Sequence, residues 1–423
     1  MGSELKVAIV GGGIAGLAFA LNLHRRGIVC DIYEAAPELK ELGVGITLLP
    51  HAMRELSELG LEKVIQDAGI QTANSAFFNR FGQLIYKEPR GLGGGYAHPE
   101  VAINRGKLHM ALFAAATAEI GADKIHTDHR CVGVSQSERG VELALQSTLS
   151  GLARDPVKAD IVVACDGVNS AIRRQYYPGE RLAFTGINTW RGVTWRKPIL
   201  DGRTYMRIGS LLTGKMVVYP IENSTDGSGR QLINWMAERV APNAEMNDWN
   251  TPGRLEDFFP TYSSWTFDWL DVAGMIRDAE QICEYPMVDK DPVDRWTFGR
   301  VTLAGDAAHP MYPRGSNGSA QALIDVRVLA ELLSTATDAP SALIEYERVR
   351  APATAAVVRT NRSTPPDFIN IKVEELVGDR PFDRLDDYIS QDELRQISDD
   401  YKKVAGFSLN NLSMADAHHG GRK

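Results

Sequence analysis

Three times along the chain, a short apolar run stops at a glycine or an acidic residue. Val7-Ala8-Ile9-Val10 runs into Gly11-Gly12-Gly13-Ile14-Ala15-Gly16. Ile161-Val162-Val163-Ala164-Cys165 runs into Asp166-Gly167, and Val301-Thr302-Leu303-Ala304 runs into Gly305-Asp306. Each run has the length and composition of a buried strand. A helix is predicted after the first, over the Ala-rich segment 15–23. Ser170 and Arg173 open another after the second. After the third, Ala320, Leu323, Ile324, Val328 and Leu332 recur at helical spacing. Between the second and third runs the pattern changes. Segments 188–195, 215–220 and 231–236 are β-branched and aromatic with turn residues between them, which predicts antiparallel strands. Segment 77–86 reads as a hairpin joining the same sheet, and 222–230, rich in Ser, Asp and Gly, as a surface loop.

The first junction is a G-x-G-x-x-G between strand and helix. Gly11 permits the tight turn, Gly13 lets a pyrophosphate approach the backbone, and Gly16 lets helix and strand pack closely. The helix start offers free N–H groups and the positive end of its dipole. A second strand, Cys30-Asp31-Ile32-Tyr33, ends on Glu34, at the spacing of a carboxylate that accepts hydrogen bonds from ribose hydroxyls. An adenosine dinucleotide is implied, either NAD or FAD. Asp306 also lies at the C-terminal end of a strand, where open α/β sheets bind ligands. It can bond a polyol such as a ribityl chain, or cap a turn. The loop Pro313-Arg314-Gly315-Ser316-Asn317-Gly318 then opens a helix whose positive end would favour an anionic reduced flavin. Taken in order, the three motifs outline one FAD.

Composition narrows the setting. The chain has 423 residues, 44% hydrophobic and 24% charged, which is ordinary globular usage. A net charge of −8 without a basic cluster argues against nucleic acid as a partner. The uncharged segment 7–23 is broken by three glycines and lacks a basic leader, so no membrane span or signal is expected. Cys30, Cys131, Cys165 and Cys283 show no C-x-x-C pairing and read as reduced, mostly buried thiols of a cytoplasmic protein. No metal site is expected.

With these motifs the chain resembles the single-component FAD-dependent aromatic hydroxylases, the class A flavoprotein monooxygenases. The resemblance runs from about Val7 to Pro365. It rests on the G-x-G-x-x-G with Glu34, on Asn104-Arg105-Gly106-Lys107-Leu108, on the Asp-Gly stretch and on the Gly-Asp stretch through Asn317. Within the family, Met311 to Gly318 and the tail Asp383-Arg384-Leu385-Asp386-Asp387 look most like the methylphenazine-carboxylate monooxygenase branch. The resemblance implies that Gly11, Gly13, Ala15, Gly16, Glu34 and Asp166 hold FAD, with Arg105 near its phosphates and Asp306 on the ribityl chain. Gly45, Ile46, Pro313, Gly315 and Asn317 would line the isoalloxazine. Ala35 departs from the basic residue that many members carry after the ribose-binding acid.

The expected fold class is α/β: a Rossmann-like FAD-binding domain of the p-hydroxybenzoate-hydroxylase kind, with an inserted antiparallel β-sheet substrate domain and C-terminal helices. The FAD domain would take 1–75, 101–180 and 291–365, the substrate domain 76–100 and 181–290, and a helical segment with a tail frayed from Ala415 would take 366–423. Pocket candidates are Trp190, Arg191, Met206, Tyr219, Trp235, Met236 and Arg314, with either arginine as a clamp for a carboxylate. No Ser/His/Asp set or paired carboxylates appear, so catalytic residues are unassigned and the flavin carries the chemistry. The resemblance implies NADH or NADPH as a transient reductant, O2, a flavin C4a-hydroperoxide and hydroxylation of a small, carboxylate-bearing aromatic or heteroaromatic molecule. Alternatives are an FAD-dependent reductase or oxidase of a polycyclic or isoprenoid metabolite, or an FAD-binding protein without catalysis. The oligomeric state stays open, a homodimer being one option.

Overall fold

The computed structural model of the protein describes residues 5–41, 43–241 and 251–411. The expected fraying from Ala415 onward lies outside the described residues. The apolar runs assemble into one six-stranded sheet, in the order Thr297–Phe298, Val301–Leu303, Ile161–Ala164, Lys6–Val10, Val29–Tyr33 and Ile125–His126. All neighbours are parallel except the first pair. The runs lack polar alternation because helices cover them: Ile14–His24 packs between Arg105–Ile120 and Gly318–Thr335. An antiparallel meander of Arg130–Ser137, Gly140–Gln146 and Ala153–Ala159 contributes Val134, Leu143 and Leu145 to the same core. Gly16 is forced by this packing, since a Cβ there would lie 1.9 Å from the Gly11 carbonyl oxygen.

The alternating segments build an eight-stranded sheet ordered Thr251–Pro252, Ile282–Asp289, Ala183–Arg196, Gln231–Val240, Gly214–Asn223, Thr204–Ser210, Asn74–Phe78 and Leu84–Pro89. The hairpin joins the sheet as expected, but Asn74–Phe78 runs parallel to Thr204–Ser210 in an otherwise antiparallel sheet. Side chains alternate between its two faces. One face, with Trp190, Met206, Ile208, Met216, Val218, Ile233 and Trp235, packs on Phe258, Tyr262, Trp265 and Met275 from the helices Leu255–Tyr262 and Val272–Arg277 and the turn between them. The other carries Tyr205, Val217, Tyr219 and Met236 and meets Ala102 of strand Val101–Asn104. That strand pairs with Gly45–Leu48, so the second face looks toward the nucleotide-binding half.

Helices Phe368–Val377 and Gln391–Val404 close the chain. The last begins with a reciprocal capping box between Ser390 and Glu393. Ile369, Val373 and Leu394 pack on Phe77, Ile85 and Tyr86 of the hairpin. The C-terminal segment is therefore bound to the inserted sheet by a shared core.

Trp235 is fully buried on the face away from the nucleotide half, seated where a Cβ on Gly192 would come within 2.4 Å of its ring, and donates from Nε1 to Thr194 Oγ1 at 3.0 Å. Trp235→Ala is expected to cost about 3–5 kcal/mol in urea denaturation. A loss under about 1 kcal/mol would show that this face is not a packed core.

Candidate active site

The C-terminal ends of strands Lys6–Val10 and Ile161–Ala164 open on a cleft of about 690 Å³ lined by Gly11, Gly13, Tyr33, Glu34, Arg130, Cys165, Asp166 and Arg174, among others. Glu34 is held by two backbone donors, Gly12 N–H to Oε2 at 2.6 Å and Ala36 N–H to Oε1 at 2.7 Å. Asp166 accepts from Ala171 N–H at 2.9 Å through Oδ2, while its Oδ1 is buried without a partner. Burial raises the Asp166 pKa from the ordinary carboxylate range. A ligand donor at Oδ1 would relieve that cost. Gly13 has open space where a side chain would project, so its backbone is free for an anion to approach. His109 Nε2 lies 2.6 Å from the Gly12 carbonyl oxygen and ties helix Arg105–Ile120 to the glycine loop.

Helix N-termini mark where negative charge belongs. Helices Arg105–Ile120, Ala171–Tyr176, Ala339–Ser363 and Gln391–Val404 are capped by side chains of Asn104, Ser170, Asp338 and Ser390. Helices Ile14–His24 and Gly318–Thr335 carry no side-chain cap and no acid in the first turn. Pro50–Glu58 and Phe368–Val377 share both features, so it is the glycine-rich loops before Ile14–His24 and Gly318–Thr335, together with their free N–H groups, that suit diphosphate and flavin. Ala15 borders this line, with its Cβ 3.2 Å from where a Cβ on Gly305 would sit. Arg105, exposed at the start of its helix, has no ion-pair partner among the described residues. Asp306, also exposed, accepts no hydrogen bond from them. The left-handed Gly305 (φ +58°) presents it, and Gly305 N–H is anchored at 3.2 Å on Asp325, which also binds His309 and Arg350.

The loop before the uncapped helix 318–335 is braced from behind. Pro313 is exposed, whereas Asn317 turns inward. Asn317 donates from Nδ2 to Tyr401 Oη at 2.9 Å, and His51 Nε2 lies 3.1 Å from its Oδ1. Tyr401 Oη donates to Asn361 Oδ1 at 2.9 Å and fills the space a Cβ on the left-handed Gly315 would need. Burial lowers the His51 pKa to about 3, so it stays neutral in this contact. Asn317 thus shapes the loop through side chains behind it. Tyr401 lay in a segment the sequence read only as a charged helix, and nothing local marked it. Gly45 and Ile46 begin strand Gly45–Leu48, where Gly45 N–H donates to Asn234 Oδ1 of the inserted sheet at 2.8 Å.

Four pocket expectations are corrected. Trp190, Met206 and Trp235 belong to the core on the far face of the sheet. The sequence named the right strands and chose the wrong parity, because a shift of one residue reverses the face. Arg314 is buried and given to Asp367, with Nε 3.0 Å from Oδ1 and Nη2 on Oδ2, so its guanidinium is not open to a substrate. Burial works against the charge on Asp367, but Lys215 and Arg314 outweigh it and hold its pKa below the ordinary range. Arg191, Tyr219 and Met236 do lie on the face toward the nucleotide half, with Tyr205 stacked on Tyr219 at 4.7 Å and Tyr285 beneath the Arg191 guanidinium at 5.1 Å. Tyr205 and Tyr285 were missed; they lie on neighbouring strands, and only the pairing register places them on the face of Arg191 and Tyr219.

A dinucleotide cleft, two uncapped helices after glycine motifs, an aspartate without a partner among the described residues at the third strand end, and an aromatic sheet face toward the nucleotide half define an FAD-dependent oxidoreductase of the p-hydroxybenzoate-hydroxylase-like fold. The chain belongs to the family described as FAD binding domain, which matches residues 4–361. It is 39% identical over 365 residues to the phenazine 1,6-dicarboxylic acid hydroxylase PhzS of Lysobacter antibioticus, covering 85% of this chain and 90% of that one. It is 32% identical to the 3-amino-4-hydroxybenzoate 2-monooxygenase PtnB3 of Streptomyces platensis, covering 90% and 94%. The fold is shared with Klebsiella pneumoniae HpxO solved with FAD and uric acid, at a TM-score of 0.74, 21% identity and 98% of both chains. The protein is an FAD-dependent monooxygenase of the aromatic hydroxylase type, using NAD(P)H as reductant. Among the described residues no helix is long and apolar enough to cross a membrane.

Two substitutions separate cofactor contact from folding. Gly13→Val projects into open space, so the variant should fold with a near-normal Tm of the apoprotein and purify colourless; full flavin content would remove Gly13 from the diphosphate site. Asp306→Ala should weaken FAD roughly ten- to a hundredfold in equilibrium dialysis, the worth of a hydrogen bond to a charged group. An unchanged Kd would leave Asp306 as a turn residue.

Proposed function

We propose that the protein hydroxylates a planar, electron-rich aromatic or heteroaromatic acid, and that Arg191 meets the substrate carboxylate. One observation carries this reading. Arg191 stands on the sheet face toward the nucleotide half among Tyr205, Tyr219 and Tyr285, and no carboxylate lies within ion-pair distance of it among the described residues. Its Nε is buried without an acceptor. A guanidinium so enclosed is poorly solvated, and a planar carboxylate is the partner its geometry suits. The relatives named above act, by their names, on a phenazine dicarboxylate and an aminohydroxybenzoate, which supports an aromatic acid here.

When bound, FAD supplies the redox and oxygen-transfer chemistry. The chain's residues bind, orient and keep water out. Arg191 fixes one end of the acid, and Met236 and the tyrosine rings give its plane an apolar floor. Burial raises the pKa of Tyr219 and Tyr285, so both hydroxyls stay protonated and put no negative charge beside an anionic substrate. Holding the ring in a dry, fixed position favours attack over loss of the activated oxygen to water.

Arg191→Ala should raise KM for an accepted aromatic acid by about 2–5 kcal/mol in equivalent binding energy, while the neutral amide changes little. The assay is substrate-stimulated NAD(P)H oxidation with oxygen uptake and product mass. Equal losses for acid and amide would assign Arg191 to the fold, and a product reduced rather than oxygenated would favour a reductase.

A further inference from the structure

Six arginines among the described residues are buried, and five of them have a carboxylate at ion-pair distance. Arg54 and Arg327 share Glu55, Arg173 has Glu180, Arg314 has Asp367 and Arg350 has Asp325. Arg207, 6% exposed, has none. Its Nη1 donates to Ser75 Oγ at 2.7 Å, and its guanidinium lies over Phe77 and Tyr205, 4.9 and 4.6 Å from their centroids. Glu100, the acid whose charge its field favours, is already bound by Arg90 at 2.8 Å. A buried cation without a counter-ion is costly, and natural folds keep few of them.

Register places this arginine relative to Arg191. Arg191 pairs with Met236, Met236 with Val217, and Val217 with Arg207. The four stand in one row across the sheet and point to one face. Three strand spacings put the arginine Cα atoms about 14 Å apart. The heads lean away from each other. Arg191 lies over Tyr285 on the strand outside its own, and Arg207 over Phe77, beside Ser75, on the strand outside its own at the other end. One carboxylate cannot serve both. Between them lie the apolar side chains of Met236 and Val217.

We infer that Arg207 is a second anion-binding residue in the substrate pocket, and that the substrate is a planar aromatic with an anionic group, a carboxylate by the geometry of its receptor, at each end. This rests on the reading of Arg191 as a carboxylate anchor. The row Arg191-Met236-Val217-Arg207 acts as a gauge, selecting the long axis of the ligand and setting which ring edge faces the flavin.

The test is calorimetric binding to the oxidised, FAD-loaded protein, without turnover. The probes are naphthalene-2,6-dicarboxylate and anthracene-2,6-dicarboxylate, each with its half-amide and diamide. Wild type should bind one diacid roughly ten- to a hundredfold tighter than its half-amide. In Arg207→Gln that preference should vanish while the half-amide keeps its affinity through Arg191. Arg191→Gln should behave likewise through Arg207. Flavin content and Tm serve as folding controls. If Arg207→Gln does not fold, Arg207→Lys keeps the charge without the planar fork and should retain only part of the preference. Absence of a diacid preference in wild type at both lengths overturns the inference, as does an Arg207 variant that weakens diacid and half-amide equally, which would mark a stacking role alone. If half-amide and diamide bind wild type equally, the Arg191 reading itself fails; if the half-amide wins but the diacid gains nothing more, that reading stands and only the second anchor falls.

Discussion

Asp367 receives Arg314 from the loop after Asp306 and Lys215 from the inserted sheet, and Lys215 passes to Glu238 at 2.8 Å. All four side chains are buried. Three separate parts of the chain meet in this group: the loop leading to helix Gly318–Thr335, the inserted sheet, and the start of helix Phe368–Val377. Buried ion pairs contribute little net stability, since desolvation cancels much of the attraction. They do penalise misplacement, because any shift that separates a pair strands a charge away from water. The loop and the sheet face are therefore held at one relative position.

Anion recognition follows from what the helices leave undone. Five helices satisfy first-turn N–H groups with side chains, and Ile14–His24 and Gly318–Thr335, which follow the glycine motifs, are among those that do not. An unsatisfied buried donor costs free energy, so the fold carries that cost where a ligand removes it. The unpaired Asp166 Oδ1, the partnerless Asp306 and the free arginines on the sheet follow the same logic.

The C-terminal helix is part of this arrangement. Tyr401 reaches through to Asn317 and Gly315, and Phe407 stacks on His51 at 5.1 Å. Its charged, periodic sequence predicts a helix and nothing more. The cofactor loop needs it because a left-handed glycine and an inward asparagine have to be packed from behind.

The sequence by itself determined the nucleotide half. Apolar runs ending at Gly11, Asp166 and Gly305 fixed the strand ends, because close approach of backbone to backbone and backbone to phosphate admits few residue types, and those constraints are local. It also determined which segments form the inserted sheet, since β-branched and aromatic alternation is a local property. Only the tertiary structure decided which alternate residues face the cofactor. Trp190, Arg191, Trp235 and Met236 are equally suited to a pocket as residue types, and a period of two assigns them to opposite faces without saying which face is which. Likewise, Arg191 and Arg314 read alike along the chain; an acid 53 residues beyond Arg314 claims one and leaves the other open. Pairings at such separations are set by the assembled fold, where burial turns the presence or absence of a counter-ion into the difference between a brace and a binding site.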